Sequence, residues 1–276
     1  MTAIALALAA SLAWGVADFV GPVKARTLGA LRVLLWAQVA GLIIIALLVL
    51  ALREPWPGPI VLLAIPASLC GTMGLYAFYR GMAVGAVSIV APVAGASAVI
   101  PVTIGILSGD RPSPIQLVGI PCALVGVALA SREPGEADRR LAAGVGLALL
   151  AALGFGLYFV PMHAAGNANP WWASFLFRTT STTVIVLGVL VARPVLRLGA
   201  RDAAIVAAVG VGDMLGNLFY AASAGFGLVS VTAVLASLYP VVTIALARVV
   251  LAEHVARSQR YGVGLTLAGV ALISAG

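Results

Sequence analysis

The chain has 276 residues, of which 62% are hydrophobic and only 9% charged, where a soluble domain carries roughly 25%. So few charges cannot cover a water-soluble globule of this size, which excludes the soluble, disordered and fibrous classes. The net charge of +7 would point to nucleic acid in a soluble chain, but here the arginines sit at the ends of apolar runs and read as membrane topology.

Apolar runs at 3–20, 28–51, 59–81, 84–108, 114–131, 141–163, 170–192, 202–224, 227–252 and 258–275 predict ten transmembrane helices and almost nothing else. Stretches such as Gly41 to Leu52 lack the period-two alternation of a membrane β-strand, so the spans are helical. The first run follows only Met1 and Thr2, without the basic start of a signal peptide, and reads as a retained helix. Its Ser11, Trp14 and Asp18 share one face. Trp14 is placed to stack on a planar or cationic solute, or else to pack at the membrane interface. Asp18 lies near the end of this run, so it either borders a solute path or snorkels to water.

Arg32 opens the second run, and Tyr79 ends the third on what is read as its inner face. The fourth run carries Pro92, Gly95, Ser97 and Pro101. Proline removes a backbone donor and frees a carbonyl one turn earlier, a defect tolerated in lipid only where protein or cavity water satisfies it. The hydrophilic segment 132–140 then divides the chain near its midpoint, into 1–131 and 141–276.

In the second part, Tyr158 falls on the inner face of the sixth run, where it and Tyr79 either border the solute path or serve as ordinary aromatic packing. Arg178 is the mate of Arg32 in the seventh. Symmetric placement suits a structural or counter-charge role for this arginine pair. Asp213 lies about 11 residues into the eighth run, near the bilayer midplane at about 1.5 Å per residue. Asn217 and Tyr220 follow on the same face, with Gly212 and Gly216 beside them as a small-xxx-small pattern for close helix contact. An ionisable group facing lipid costs about 3 kcal/mol, so Asp213 is expected either to line a cavity, binding a cationic group or a proton, or to form a buried salt bridge with Arg178. Tyr239 precedes Pro240 in the ninth run and is the mate of Ser97.

The two parts repeat each other. Gly119 to Ser131 aligns with Gly262 to Ser274 at an offset of 143, and seven of those 13 positions are identical. Gly74 matches Gly216, Gly85 matches Gly227 and Ser88 matches Ser230. Five helices per part is an odd number, so the second part enters the membrane from the opposite side, an inverted-topology repeat of the kind that builds transporters.

These residues resemble the drug/metabolite transporter superfamily, specifically its EamA-type members with two five-helix repeats. The resemblance covers essentially the whole chain. It rests on Ala13-Trp14-Gly15, Gly85-Ala86-Val87-Ser88, Gly227-Leu228-Val229-Ser230, Ser237-Leu238-Tyr239-Pro240, and the acidic ends Gly109-Asp110-Arg111 and Ala252-Glu253-His254. The usual Gly-Glu pair is Gly-Asp in the first repeat and Ala-Glu in the second. The resemblance implies movement of small metabolites or drugs by alternating access; it implies no particular substrate.

The basic residues divide eleven to two between alternate loops, which puts both termini outside, whereas the resemblance implies cytoplasmic termini. Three functional readings follow. The first is a secondary-active or facilitative transporter of the plasma (inner) membrane, in the exporting direction, with a cavity bordered by helices one, three, four, six, eight and nine. Its partners are a small-molecule solute, the lipid bilayer and, if proton-coupled, a proton cycling on Asp213, in a monomer or a homodimer. The second is a lipid-modifying enzyme, which lacks its clustered nucleophiles. The third is a channel or scaffold component, which gains nothing from inverted repeats. The only histidines, His163 and His254, are far apart, and no phosphate-binding loop exists, so no metal, cofactor, ATP drive or nucleic-acid partner is expected.

Overall fold

The computed structural model describes residues 2–84, 87–107, 113–130, 139–251 and 257–275. The Gly85-Ala86 turn, the acidic ends Gly109-Asp110-Arg111 and Ala252-Glu253-His254, and linker residues 132–138 lie outside them. Twelve α-helices carry the described residues: α1 (Thr2–Leu28), α2 (Ala30–Leu52), α3 (Ala64–Val84), α4 (Val87–Gly95), α5 (Val99–Leu107), α6 (Pro114–Ala130), α7 (Arg139–Ala168), α8 (Pro170–Ala192), α9 (Ala200–Ser223), α10 (Val229–Ala236), α11 (Tyr239–Val250) and α12 (Arg257–Ala275). Helices satisfy their own backbone hydrogen bonds, which a lipid-embedded segment requires.

Among the described residues, seven helical runs are long and apolar enough to cross a bilayer, and this is a multi-pass membrane protein. The runs expected as the fourth, fifth and tenth spans are the broken pair α4–α5, the 17-residue α6 and the 19-residue α12, which fall outside those seven.

Two boundaries differ from the sequence expectation in a way that matters. Helix α1 runs on to Leu28 rather than ending near residue 20, because Pro22 is accommodated inside it. Asp18 is therefore buried well short of the helix end, and snorkelling to water is ruled out. Helix α7 continues through Pro161 to Ala168, five residues past its expected end at 163.

The fourth and ninth runs break near their middles. A 3₁₀ turn at Ala96–Ala98 separates α4 from α5, and a turn at Ser237 and Leu238 separates α10 from α11. Pro101 and Pro240 fall in the first turn of the following segment, where a missing N–H costs no helical bond. The two breaks meet: a Cβ on Gly95 would lie 2.5 Å from Pro240 Cγ, so only glycine permits this crossing.

Helix contacts follow one pattern in both parts. Helix α1 packs on α9, and α7 packs on α3; α2 packs on α9, and α8 on α3; α2 meets α8, and α6 meets α12. Helices α2 and α8 both end on an arginine with positive φ, Arg53 at 52° and Arg193 at 46°. A left-handed non-glycine residue costs about 1–2 kcal/mol, so its recurrence at matching places marks a shared helix-ending device. Close packing comes from glycine faces: a Cβ on Gly210 would fall 1.9 Å from Ala37 O, and one on Gly154 2.7 Å from Cys70 O.

Polar contacts tie the loops together at each end. At one end Lys24 Nζ pairs with Asp202 Oδ1 at 2.7 Å, Arg26 donates to Met82 O, and Trp36 Nε1 donates to Leu196 O. At the other, Asn169 caps α8, accepting from Trp171 N and Trp172 N, while its Nδ2 donates to Glu54 Oε2 at 2.9 Å.

Candidate functional site

Helices α1, α2, α3, α7, α8, α9 and α11 enclose a pocket of about 490 Å³, its open mouth included. Trp14 and Asp18 come from α1, Gln38 from α2, and Gly71, Thr72 and Leu75 from α3. Phe155, Tyr158 and Phe159 come from α7, Phe177 and Ser181 from α8, Asp213 and Asn217 from α9, and Tyr239 from α11. Both parts of the chain thus contribute to one wall.

The wall is mostly aromatic. The Trp14 ring lies edge-on to Tyr158 and Phe159, with centroids 6.0 and 6.3 Å away, and tilts against Tyr220 at 6.1 Å. Gly216 lets that indole seat itself, since a Cβ there would come 2.4 Å from Trp14 Cδ1. The small-xxx-small pattern therefore serves Trp14 at Gly216, and the tight backbone approach to α2 falls at Gly210 instead.

The polar wall is anchored at Asp213. Arg178, whose side chain is 1% exposed, donates from Nη1 to Asp213 Oδ2 at 2.8 Å and also to Gln38 Oε1. Asp213 remains 15% exposed, so the two sequence readings for it coexist: it forms the salt bridge and it lines the pocket. Asn217 Nδ2 donates to Asp213 O at 2.8 Å, and Tyr158 donates to Asn217 Oδ1 at 2.9 Å, which orients the stripe expected on this helix.

Other pocket groups have no such partner. Thr72 Oγ1, Ser181 Oγ and Tyr239 Oη are buried without a hydrogen bond among the described residues. An unmade buried hydrogen bond costs about 1–3 kcal/mol, so these three hydroxyls are groups that a polar partner in the pocket would satisfy. Asp18, 5% exposed, has neither an ion pair nor a hydrogen bond among the described residues.

Of the residues expected from sequence, Trp14, Asp18, Tyr158, Asp213, Asn217 and Tyr239 line the pocket, while Tyr79, Ser97 and Tyr220 do not. Tyr79 packs over Gly21, where a Cβ would meet its Oη at 2.0 Å. Tyr220 stands behind Trp14 and donates to Phe159 O at 2.9 Å, fixing α9 on α7. Ser97 is buried in the turn between α4 and α5. Arg32 and Arg178 do not share one role: Arg178 holds the pocket carboxylate, whereas Arg32 is only half-buried, with Nε unpartnered among the described residues. Gln38, Thr72, Phe155, Phe177 and Ser181 line the pocket without having been singled out in the sequence. For Gln38 a signal existed, since it interrupts one of the most apolar runs of the chain.

A family profile described as the EamA-like transporter family matches residues 1–132 and 142–275. Among solved structures, one described as "Crystal structure of protein" superposes with a TM-score of 0.72 at 19% identity, covering 98% of this chain and 95% of that one. At that identity the likeness is one of fold. No curated protein matches the chain.

Proposed function

The chain belongs to the EamA-like transporter family, and on that premise we propose that it is a secondary transporter of small organic solutes working by alternating access. The observation that carries this reading is the pocket itself: hydrogen-bonding and ionisable groups from both parts of the chain face one space inside an apolar bundle. Such groups are expensive in hydrocarbon and persist where they serve a solute.

Ten membrane crossings in two inverted five-helix repeats, 1–131 and 141–276, account for the packing. The end of α1 meets Met82 and Asp202, whereas the end of α7 meets Glu54 at the other end of α2, which supports opposite directions for the two leading helices. The exchangeable contact pattern and the paired breaks support two halves rocking about the pocket, each able to adopt the conformation the other holds. Lys24, Arg26, Arg193, Arg197 and Arg201 lie at or beside one end, which would face the cytoplasm of a plasma membrane, with export as the direction of flux.

The test is counterflow. Liposomes holding purified protein and a panel of unlabelled amines, amino acids and sugars are expected to accumulate labelled solute transiently and saturably, against its gradient. Linear, non-saturating flux, or continuous conductance, would instead identify a channel.

A further inference from the structure

The net charge of the pocket wall carries an inference about what it binds, one that rests on the transporter reading only for what happens after binding. Three ionisable side chains are set in or against the wall: Asp18, Asp213 and Arg178. Arg178 gives Nη1 to both Asp213 and Gln38, which neutralises Asp213. Although its Nε and Nη2 have no hydrogen-bond partner among the described residues, it lies behind the pocket lining rather than on it. Asp18 is left with no basic partner among the described residues, and the charged group acting on it is a second carboxylate, Asp213. The titratable neighbours facing it from the packed helices are Tyr79 of α3, Tyr239 of α11 and Asp213 of α9, none of them a cation. A buried carboxylate without a counter-charge is among the costliest groups a protein interior can hold. Something positive must therefore accompany Asp18: a proton, or a cation brought by the ligand.

The rest of the wall decides which ligand. Trp14, Phe155, Tyr158, Phe159, Phe177 and Tyr239 supply aromatic surface around that carboxylate, the setting that attracts an organic cation with an apolar body. No basic side chain lines the pocket among the described residues, so a ligand carboxylate would meet only hydroxyls and amides there, without a counter-charge and beside Asp18 and Asp213.

We propose that this pocket selects organic monocations over zwitterions and anions, with Asp18 as the charge partner and a proton as its stand-in when no cation is bound. Binding a permanent cation converts the Asp18 carboxylic acid to a carboxylate paired with the ligand and releases one proton to solvent. Release of the cation reverses both steps.

The probes are tetramethylammonium, phenyltrimethylammonium and benzyltrimethylammonium, with phenylalanine as the zwitterion, titrated into purified protein in weakly buffered detergent solution containing a pH indicator. The expected result is saturable binding of at least one quaternary cation with release of about one proton per cation, and no displacement by phenylalanine. Asp18→Asn is expected to lose cation affinity by about tenfold or more and to release no proton, while Asp18→Glu keeps both. Binding of none of the three cations, competition by phenylalanine at equal concentration, or cation binding without proton release each overturns the proposal; the wild-type measurements decide even if a variant fails to fold. Cation binding with proton release but no counterflow of any solute would leave this inference standing and remove the transporter reading. Counterflow of other solutes without cation binding would do the opposite.

Discussion

Arg178→Ala is expected to lower folding stability by about 3–5 kcal/mol, read in detergent as a fall of about 10 °C in melting midpoint. The side chain is almost wholly buried, and its loss would strand the Asp213 carboxylate and the Gln38 carbonyl without their shared donor. The cost comes from what is left behind more than from the bond removed, since pairing two buried charges hardly repays their desolvation. The double replacement Arg178→Met with Asp213→Leu should therefore recover most of the stability while abolishing solute binding. Additive losses in the double variant, or a loss under about 1 kcal/mol in the single one, would show that the pair is not the keystone of the α2–α8–α9 contact.

The second large effect belongs to Trp14. Trp14→Ala removes an indole that three aromatic rings and Gly216 are shaped around, at a cost of about 3–5 kcal/mol, and widens the pocket where α1, α7 and α9 converge. Counterflow should fall to background. Trp14→Phe should recover stability better than transport, because a smaller ring fills part of the volume without covering the same wall. Gly216→Val offers an independent check: with its Cβ driven into the indole, it should displace Trp14 toward the pocket and block solute without removing the aromatic side chain. Normal counterflow in both variants would remove Trp14 from the solute path.

Much of this organisation was legible in the sequence. Apolar runs report helices because lipid leaves the backbone no other partner, and the places where two of them break were flagged by proline and glycine. The polar stripe Asp213-Asn217-Tyr220 was readable from spacing, although only its first two members line the pocket; Tyr220 is turned aside to bond Phe159 O. Depth was harder to read. Asp18 looked terminal because the run of apolar residues fades after Val20, yet α1 continues past it under the cover of α3 and α9, so burial there is a property of neighbours rather than of local sequence. Phe155 and Phe177 could not be recognised, since a phenylalanine facing a pocket and one facing lipid are identical in a hydrophobic run. The differing environments of Arg32 and Arg178 make the same point, for repeat symmetry places residues without fixing their partners.

The central claim is that one mid-bundle space opens alternately to the two sides of the membrane. It is tested most directly by introducing Ser181→Cys, on the pocket wall, into protein whose own Cys70 and Cys122 have been replaced by alanine. The reactivity of the new thiol toward a membrane-impermeant maleimide is then measured in right-side-out and inside-out vesicles. Alternating access predicts labelling in both orientations, slowed in each by a bound solute. Labelling from one side only under every condition, or from neither, would contradict it.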